Sequence, residues 1–357
     1  MDKKRIIIIA AIVAASLAVS TLIVFSVRNY LNGNMPEIVL TSGFEEDEIF
    51  RINTLGCKLS EAKIYMRTTE DNYSDAFGSE IWKKKLTNGE TLEDQIKTTV
   101  LARLAQIKAM NLLAVSRGVV LEEEEEAKVK EAASKYLSGL SEDDISCLGA
   151  TTELLEQMYS EYALANKVYL DITRNVNPEI SDDEARTISV KHILFKTYTV
   201  SADGSTRQFS DEEKKSVYER AEAVLEKIQS GADFDSVAEK YNEDTESGYT
   251  FGKGQMPESF EEAAFNLGTD EVSGIIETDF GYHIIKCVST FDREETDNNK
   301  ERIVLERKKE AFNEVYDEFL QTIHSNLNNE LWDSVDFGNE GTTDATGFFD
   351  VYNEVFS

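Results

Sequence analysis

Residues 188–196 read ISVKHILFK, and residues 271–287 read EVSGIIETDFGYHIIKC. The first stretch is rich in β-branched and apolar residues, a strand signal. The second reads as two short strands, near Val272–Thr278 and Tyr282–Val288. Between these strands the pattern turns helical. Ser210 and Glu213 form a capping box that opens a helix with Val217, Ala221, Val224, Leu225 and Ile228 on one face, ended by Gly231. Asp233 caps a second helix running to Tyr241, and the glycine-containing loop YTFGKGQMP (249–257) leads into a third helix at Ser259–Asn266. The order of strand, helices, strand, helix, strand and strand predicts a compact α+β domain with a four-stranded sheet and flanking helices.

The chain on either side is helical. A first helix starts near Leu59 in LSEAKIYM. The clearest runs from Leu92 to Arg117, with Leu92, Ile96, Val100, Leu104 and Ile107 on one face and Gly118 placed to stop it. Glu122–Tyr136 opens with a run of glutamates that suits a solvated helix start, and a further helix covers Thr152–Leu170. Asn175, Asn177 and Pro178 then break the pattern, and Ser181 with Glu184 caps one short turn. Beyond Arg293 a helix is predicted from about Asn299 to Trp332, striped by Phe312, Val315, Phe319, Ile323 and Leu327. No sheet is expected after it, so its simplest partner is the earlier helical region. The α+β domain would then be an insertion between two halves of one helical body.

The net charge is −31 over 357 residues. A surface so acidic repels phosphates and excludes a nucleic-acid partner. Its plain consequence is solubility. The exception is the start of the chain. Lys3, Lys4 and Arg5 precede an uncharged run from Ile6 to Phe25 that contains neither proline nor glycine. Its length matches the roughly 20 residues a bilayer core requires and exceeds an ordinary signal-peptide core. With the cations inside, the bulk of the chain would lie outside the cytoplasm, held at the cell membrane by one helix. Run length favours an uncleaved signal anchor, although Ala14, Ala15, Ala18 and Ser20 leave cleavage open. Cys57, Cys147 and Cys287 are widely spaced and form neither a metal motif nor a disulfide framework. The expected organisation is 1–28 basic flank and transmembrane anchor, 29–50 linker, 51–180 helical chaperone-like domain, 187–290 inserted α+β domain, and 294–357 returning C-terminal helix and tail.

The segment 187–290 resembles the parvulin family of peptidyl-prolyl isomerases. The resemblance rests on VKHIL (190–194), GADFDSVAEKYNED (231–244), FGKGQMPESFEEAAFNL (251–267) and EVSGIIETDFGYHIIKC (271–287), four pieces in order across one domain. Outside it the likeness is architectural: a helical N-terminal region, an inserted domain and a returning helix resemble the extracytoplasmic foldases and chaperone-isomerases of bacteria. The resemblance implies rotation about X–Pro amides in unfolded or newly exported polypeptides, with no metal, cofactor or covalent step. It implies paired histidines at His192 and His283, an acidic group at Asp244 on the pocket edge, and a polar group at Thr278 near the second histidine. It also implies proline-ring contacts at Met256 and Phe260, with Phe265 or Leu267 behind.

Each of these residues has a plainer reading as well. The imidazoles suit a satisfied buried pair, Asp244 suits a turn, and Met256 and Phe260 suit an ordinary core. His324, on the C-terminal helix, reads as surface or packing. The sequence departs from the family pattern in three places. The loop after Asp244 is shortened to TESGYTFGKGQM (245–256), and Phe280 stands where some relatives carry a small polar residue. The loop KTYTVSADGST (196–206) lacks the basic cluster that phosphate-directed parvulins use, so phosphoserine-proline specificity is not expected. Two functional readings stand: an active isomerase and foldase, or a holdase that binds unfolded exported chains and keeps a weak or inactive parvulin domain. A hydrolase has no supporting nucleophile–base motif.

Overall fold

The computed structural model describes residues 44–77, 79–86, 89–201, 205–335 and 347–357. The apolar run 6–25, its basic flank and residues 29–43 of the expected linker lie outside the described residues, among which no helix is long and apolar enough to cross a membrane. The chain is mixed α+β and divides into two compact units. One joins the described residues up to Arg174 to Ala311–Ser357, and the other is Asn175–Glu310.

In chain order the elements are β1 (Glu48–Ile52), β2 (Leu55–Lys58), α1 (Leu59–Phe77), α2 (Leu92–Arg117), α3 (Glu123–Gly139), α4 (Glu142–Leu148), α5 (Thr152–Thr173) and α6 (Asp182–Ala185). Then come β3 (Thr187–Lys196), β4 (Tyr198–Val200), β5 (Thr206–Gln208), α7 (Asp211–Gln229), α8 (Phe234–Tyr241), β6 (Gly248–Gly252), α9 (Glu258–Phe265), β7 (Val272–Thr278) and β8 (Gly281–Ser289). The chain closes with α10 (Arg293–Leu320), β9 (Ser325–Leu327), α11 (Asn329–Asp333) and α12 (Phe348–Phe356).

The first unit is built around α2. Thr91 caps it through a reciprocal bond with Asp94, and Gly118 closes it at φ 69°, a left-handed conformation open to glycine at no steric cost. Its buried face joins residues of α1, α3 and α5 in one apolar core that also takes in Phe312, Tyr316, Ile323, Trp332 and Phe348 from the end of the chain. The core is not wholly helical. β1 pairs with both β2 and β9, so Phe50 faces Leu327 and Ile52 faces Ser325.

This strand corrects the sequence reading, which ran one helix through to Trp332. The helix ends at Leu320. Ile323, Ser325 and Leu327 also fit the two-residue alternation of a strand, and Ser325–Leu327 pairs with β1. His324 is therefore not on a helix: its N–H donates to Asn53 Oδ1, and its carbonyl accepts from the Asn53 N–H. α10 also begins earlier than the periodicity suggests, and its first turns belong to the second unit, where Thr296 and Asn299 are buried.

A charged cluster crosses the first unit's core. Lys108, 1% exposed, reaches Glu61 Oε2 at 2.7 Å and both oxygens of Glu161 at 2.7 and 2.8 Å, joining α2 to α1 and α5. Glu61 also accepts from the Lys58 N–H, and Gln157 donates to Glu161. Burial works against the Lys108 charge, but Glu161 and Glu61 outweigh it and raise its pKa. Burial raises the Glu61 pKa despite the lysine beside it.

The second unit is a four-stranded antiparallel sheet in the order β6-β3-β8-β7. Ile193, Phe195, Tyr282 and Ile284 pack on one side with Val217, Ala221 and Val224 of α7 and Phe234, Val237 and Ala238 of α8. Ile188, Val190, Phe251 and Ile285 pack on the other with Phe260 and Ala264 of α9. Burying each large side chain contributes about 1.5–3 kcal/mol, so the alternation fixes which face each residue takes.

The lysine cluster yields a stability prediction. Lys108→Met leaves two carboxylates without their cation in the core and should destabilise the first unit by about 3–5 kcal/mol. Trp82 and Trp332 are the chain's two tryptophans, and both are buried in this unit, so urea titration by tryptophan fluorescence reads it directly. A midpoint that does not move would mean that the cluster contributes no net stability.

Candidate functional site

In the β3–β8 ladder Leu194 faces His283 and His192 faces Ile285. Opposed residues share a face, so the two histidines are diagonal neighbours beneath α9. β6 adds Tyr249 opposite Val190, and β7 adds Ile276 opposite His283, on the same face. α9 lays Phe260 edge-on to both imidazoles, with ring centroids 5.1 Å from His283 and 5.8 Å from His192. Ser259 holds this helix to β7 by donating to the Glu277 carbonyl at 2.6 Å.

Asp244 follows α8 in a short turn pinned by Asn242. The Asn242 Oδ1 accepts from the N–H groups of Leu194 (2.8 Å) and Asp244 (3.1 Å), and its Nδ2 donates to the Glu246 carbonyl. The Asp244 carboxylate then lies 3.3 Å from His192 Nε2. The shortened loop thus keeps Asp244 within reach of the histidines. Gly248 makes this possible: a Cβ there would sit 2.7 Å from the Val190 carbonyl oxygen.

The hydrogen bonds have one direction. His192 Nε2 faces two acceptors, Asp244 Oδ2 and the Glu246 carbonyl at 3.2 Å, so it carries the proton. In the neutral ring Nδ1 is then an acceptor. Its partner 3.3 Å away is His283 Nδ1, which must donate. His283 Nε2 is left to accept from the Thr278 hydroxyl at 2.8 Å, and Thr278 Oγ1 in turn accepts from the Phe280 N–H. With both imidazoles neutral, five groups therefore form one chain from the Phe280 amide to the Asp244 carboxylate.

The electrostatics agree. Burial pushes His283 down to about 4, helped by the neighbouring His192. Burial also lowers His192, against the opposing pull of the Glu246 carbonyl and Asp244. For Asp244, burial raises the pKa, but bonds from the Tyr249 hydroxyl and the Thr245 N–H, with His192 nearby, outweigh it and hold the carboxyl below its usual range.

The expected site residues divide into two groups. His192, His283, Thr278 and Asp244 form the hydrogen-bonded chain, with Phe260 packed against it. Met256, Phe265 and Leu267 are half-buried in the same apolar cluster as Phe260. Phe265 lies toward Phe251 and under the Arg186 guanidinium, at the back of that cluster. Phe280 is half exposed and enters only through its backbone N–H. Sequence reasoning missed Asn242 and Tyr249. The alternation of Gly248, Tyr249, Thr250 and Phe251, read as a strand rather than a loop, would have put Tyr249 on the histidine face.

Residues 192–289 match the family described as Rotamase: PPIC-type PPIASE domain. The second unit carries a PPIC-type rotamase domain. The Foldase protein PrsA of Geobacillus sp. (strain WCH70) is 30% identical over 166 residues, 45% of this chain and 57% of that protein. Foldase protein PrsA 3 of Bacillus cereus is 27% identical over 243 residues, 66% of this chain and 75% of that protein. The Foldase protein PrsA of Halalkalibacterium halodurans is 35% identical over 144 residues, 38% of this chain and 40% of that protein. The matched stretch thus spans about half the length of two of these relatives. A crystal structure of a peptidylprolyl isomerase, PrsA, from Bacillus anthracis covers 67% of this chain and 100% of its own, at 20% identity and a TM-score of 0.33.

The rotamase domain's buried histidines predict a pH response. In the unfolded chain His283 binds its proton near 6.5, and in the folded domain near 4. Between these values the unfolded state holds more protons, so stability falls as pH drops through that window, by roughly 1.4 kcal/mol per pH unit for one such group. Hydrogen exchange of the Leu194 and Ile284 amides should quicken between pH 6.5 and 4.5 once intrinsic rates are corrected, and ring NMR should show His283 unprotonated at pH 5.5. A folded-state His283 titrating near 6.5 would contradict the neutral chain.

Proposed function

We propose that this chain is a peptidyl-prolyl cis-trans isomerase that assists the folding of exported proteins outside the cytoplasmic membrane. The observation that carries the reading is the buried, hydrogen-bonded pair His192 and His283, joined to Thr278 at one end and Asp244 at the other, with Phe260 packed on both rings. Amide rotation needs neither acid nor nucleophile. It needs the proline ring held and the twisted amide bound better than either planar form, against a barrier of about 18–20 kcal/mol.

In this reading Phe260 and Met256 take the proline ring, with Leu267 and Phe265 behind them. His192, His283 and Thr278 fix the polarity of the pocket wall. Asp244 presents a fixed negative charge that opposes the resonance of the planar amide. The substrates are unphosphorylated X–Pro segments of unfolded chains. The PPIC-type match and the names of the foldase relatives support the activity and the kind of client. The apolar run 6–25 behind Lys3, Lys4 and Arg5 supports a membrane anchor with the bulk of the chain extracytoplasmic.

A second activity, holding unfolded chains, is supported by one surface of the first unit. Val120 and Leu170, 68 and 61% exposed, line an open groove with Val119, Tyr169, Tyr352 and Phe356, which charged residues such as Glu122, Lys167 and Arg174 also line. Such apolar exposure marks interaction surfaces.

Cis/trans exchange on unphosphorylated X–Pro peptides tests the isomerase. The protein from residue 29 onward should accelerate exchange. The double change His192→Ala, Asp244→Ala should lower kcat/KM by at least about tenfold, or roughly 1.4 kcal/mol of transition-state stabilisation. A folded protein with no acceleration would remove the catalytic reading and leave only the holding one.

A further inference from the structure

Tyr249 lies on β6, on the face that carries both histidines. Its ring centroid is 5.1 Å from that of His192, and its hydroxyl donates to Asp244 Oδ2 at 2.9 Å. Two residues along the same strand face, Phe251 fills its place in the apolar cluster with no hydroxyl. Packing on His192 likewise calls only for a ring. The phenolic oxygen has a separate use: it donates to Asp244.

Asp244 depends on that partner. Its Oδ1 is fixed by the Thr245 N–H at 2.7 Å, a bond to the adjacent residue. Oδ2 faces His192 Nε2 at 3.3 Å, where the imidazole also has the Glu246 carbonyl at 3.2 Å as an alternative acceptor. The Tyr249 hydroxyl is the shorter contact to Oδ2 and comes from a different strand. Without it the carboxylate could turn about its terminal torsion, and His192 could bond to the neutral carbonyl alone. The short connection from Asp244 to β6 brings the phenol here, and Gly248 permits the close approach of β6 to β3.

We propose that Tyr249 is a positioning residue of the isomerase site: its phenol fixes Asp244 Oδ2 at the end of the imidazole chain and so keeps the carboxylate, beside the Glu246 carbonyl, as an acceptor of the His192 Nε2 proton. This rests on the isomerase reading above. The titratable groups facing Asp244 are His192 from β3, Tyr249 from β6, His283 from β8 behind His192, and Glu246 of its own turn. Removing the phenolic donor weakens only the ionised carboxyl, so the Asp244 pKa must rise.

Tyr249→Phe in the full chain keeps the ring and removes the oxygen. The expected result has three parts. kcat falls about tenfold, the worth of a hydrogen bond to a charged group, with KM unchanged. The acid limb of the kcat/KM profile moves to higher pH. The Asp244 carboxyl, followed by carbon-13 NMR, titrates higher, and the His192 Nε2–H proton resonance shifts as its acceptor becomes the Glu246 carbonyl alone. The proposal is overturned if the profile and both NMR signatures match the wild type, or if KM alone changes. If the wild type shows no isomerisation while the Asp244 titration still moves, the isomerase reading fails. The positioning role fails with it, leaving a structural hydrogen bond.

Discussion

Leu194 faces His283 and His192 faces Ile285 across the β3–β8 ladder, and the placement of both imidazoles depends on this register. A one-residue slip would keep one imidazole beneath α9 and turn the other toward α7 and α8. The apolar residues enforce the register, because Ile193, Phe195 and Ile284 must meet α7 and α8 while Val190 and Ile285 meet α9. Gly281 starts β8 at φ 138°, where a side chain would run into the Phe195 carbonyl. The forces that fold the sheet therefore also align the hydrogen-bond chain, and no separate device is needed to bring His192 to His283.

The two units bury polar groups in opposite ways. The first encloses a lysine between two carboxylates, Lys108 and Glu61 having lost their water, and only close geometry and extra donors offset that loss. The second encloses two imidazoles that stay neutral, which avoids the ionic penalty and leaves each ring one donor and one acceptor. The carboxylate at the end of the imidazole chain, Asp244, sits at the rim with about a quarter of its side chain exposed. The gradient from a dry neutral interior to a charged edge gives the pocket its polarity without leaving a charge unpaired inside.

Much of this architecture was legible in the chain. The capping pair Ser210 with Glu213 forms reciprocally, and the left-handed Gly118 ends α2. The alternation in ISVKHILFK and GYHIIKC fixes which residues share a sheet face, and so puts His192 and His283 together. What escaped were elements whose reason lies in distant partners. β1, β2 and β9 are short, and β9 forms where the 3–4 spacing of a helix and the alternation of a strand coincide. The β4–β5 hairpin has exposed or half-exposed residues with no apolar pattern to announce it. Lys108, Glu61 and Glu161 are far apart in sequence, and nothing local marks them as a buried cluster. Asn242 was hidden for the same reason: its side chain serves the backbone of β3, a partner that only the folded sheet supplies.

The shortened loop after Asp244 shows how a departure from pattern is absorbed. A long loop can place a carboxylate by its own internal bonds, whereas a three-residue connection has few to offer. Here the turn is held from outside. Asn242 bonds to Leu194 of the central strand, Glu243 bonds to Leu194 and Lys196 through backbone and side chain, and Tyr249 reaches back from β6. Each anchor belongs to the sheet that already carries the histidines. Shortening the loop thus transfers control of Asp244 from the loop to the sheet, which lowers the conformational entropy lost in fixing the carboxylate. Both ends of the imidazole chain are then set by one ladder of strands.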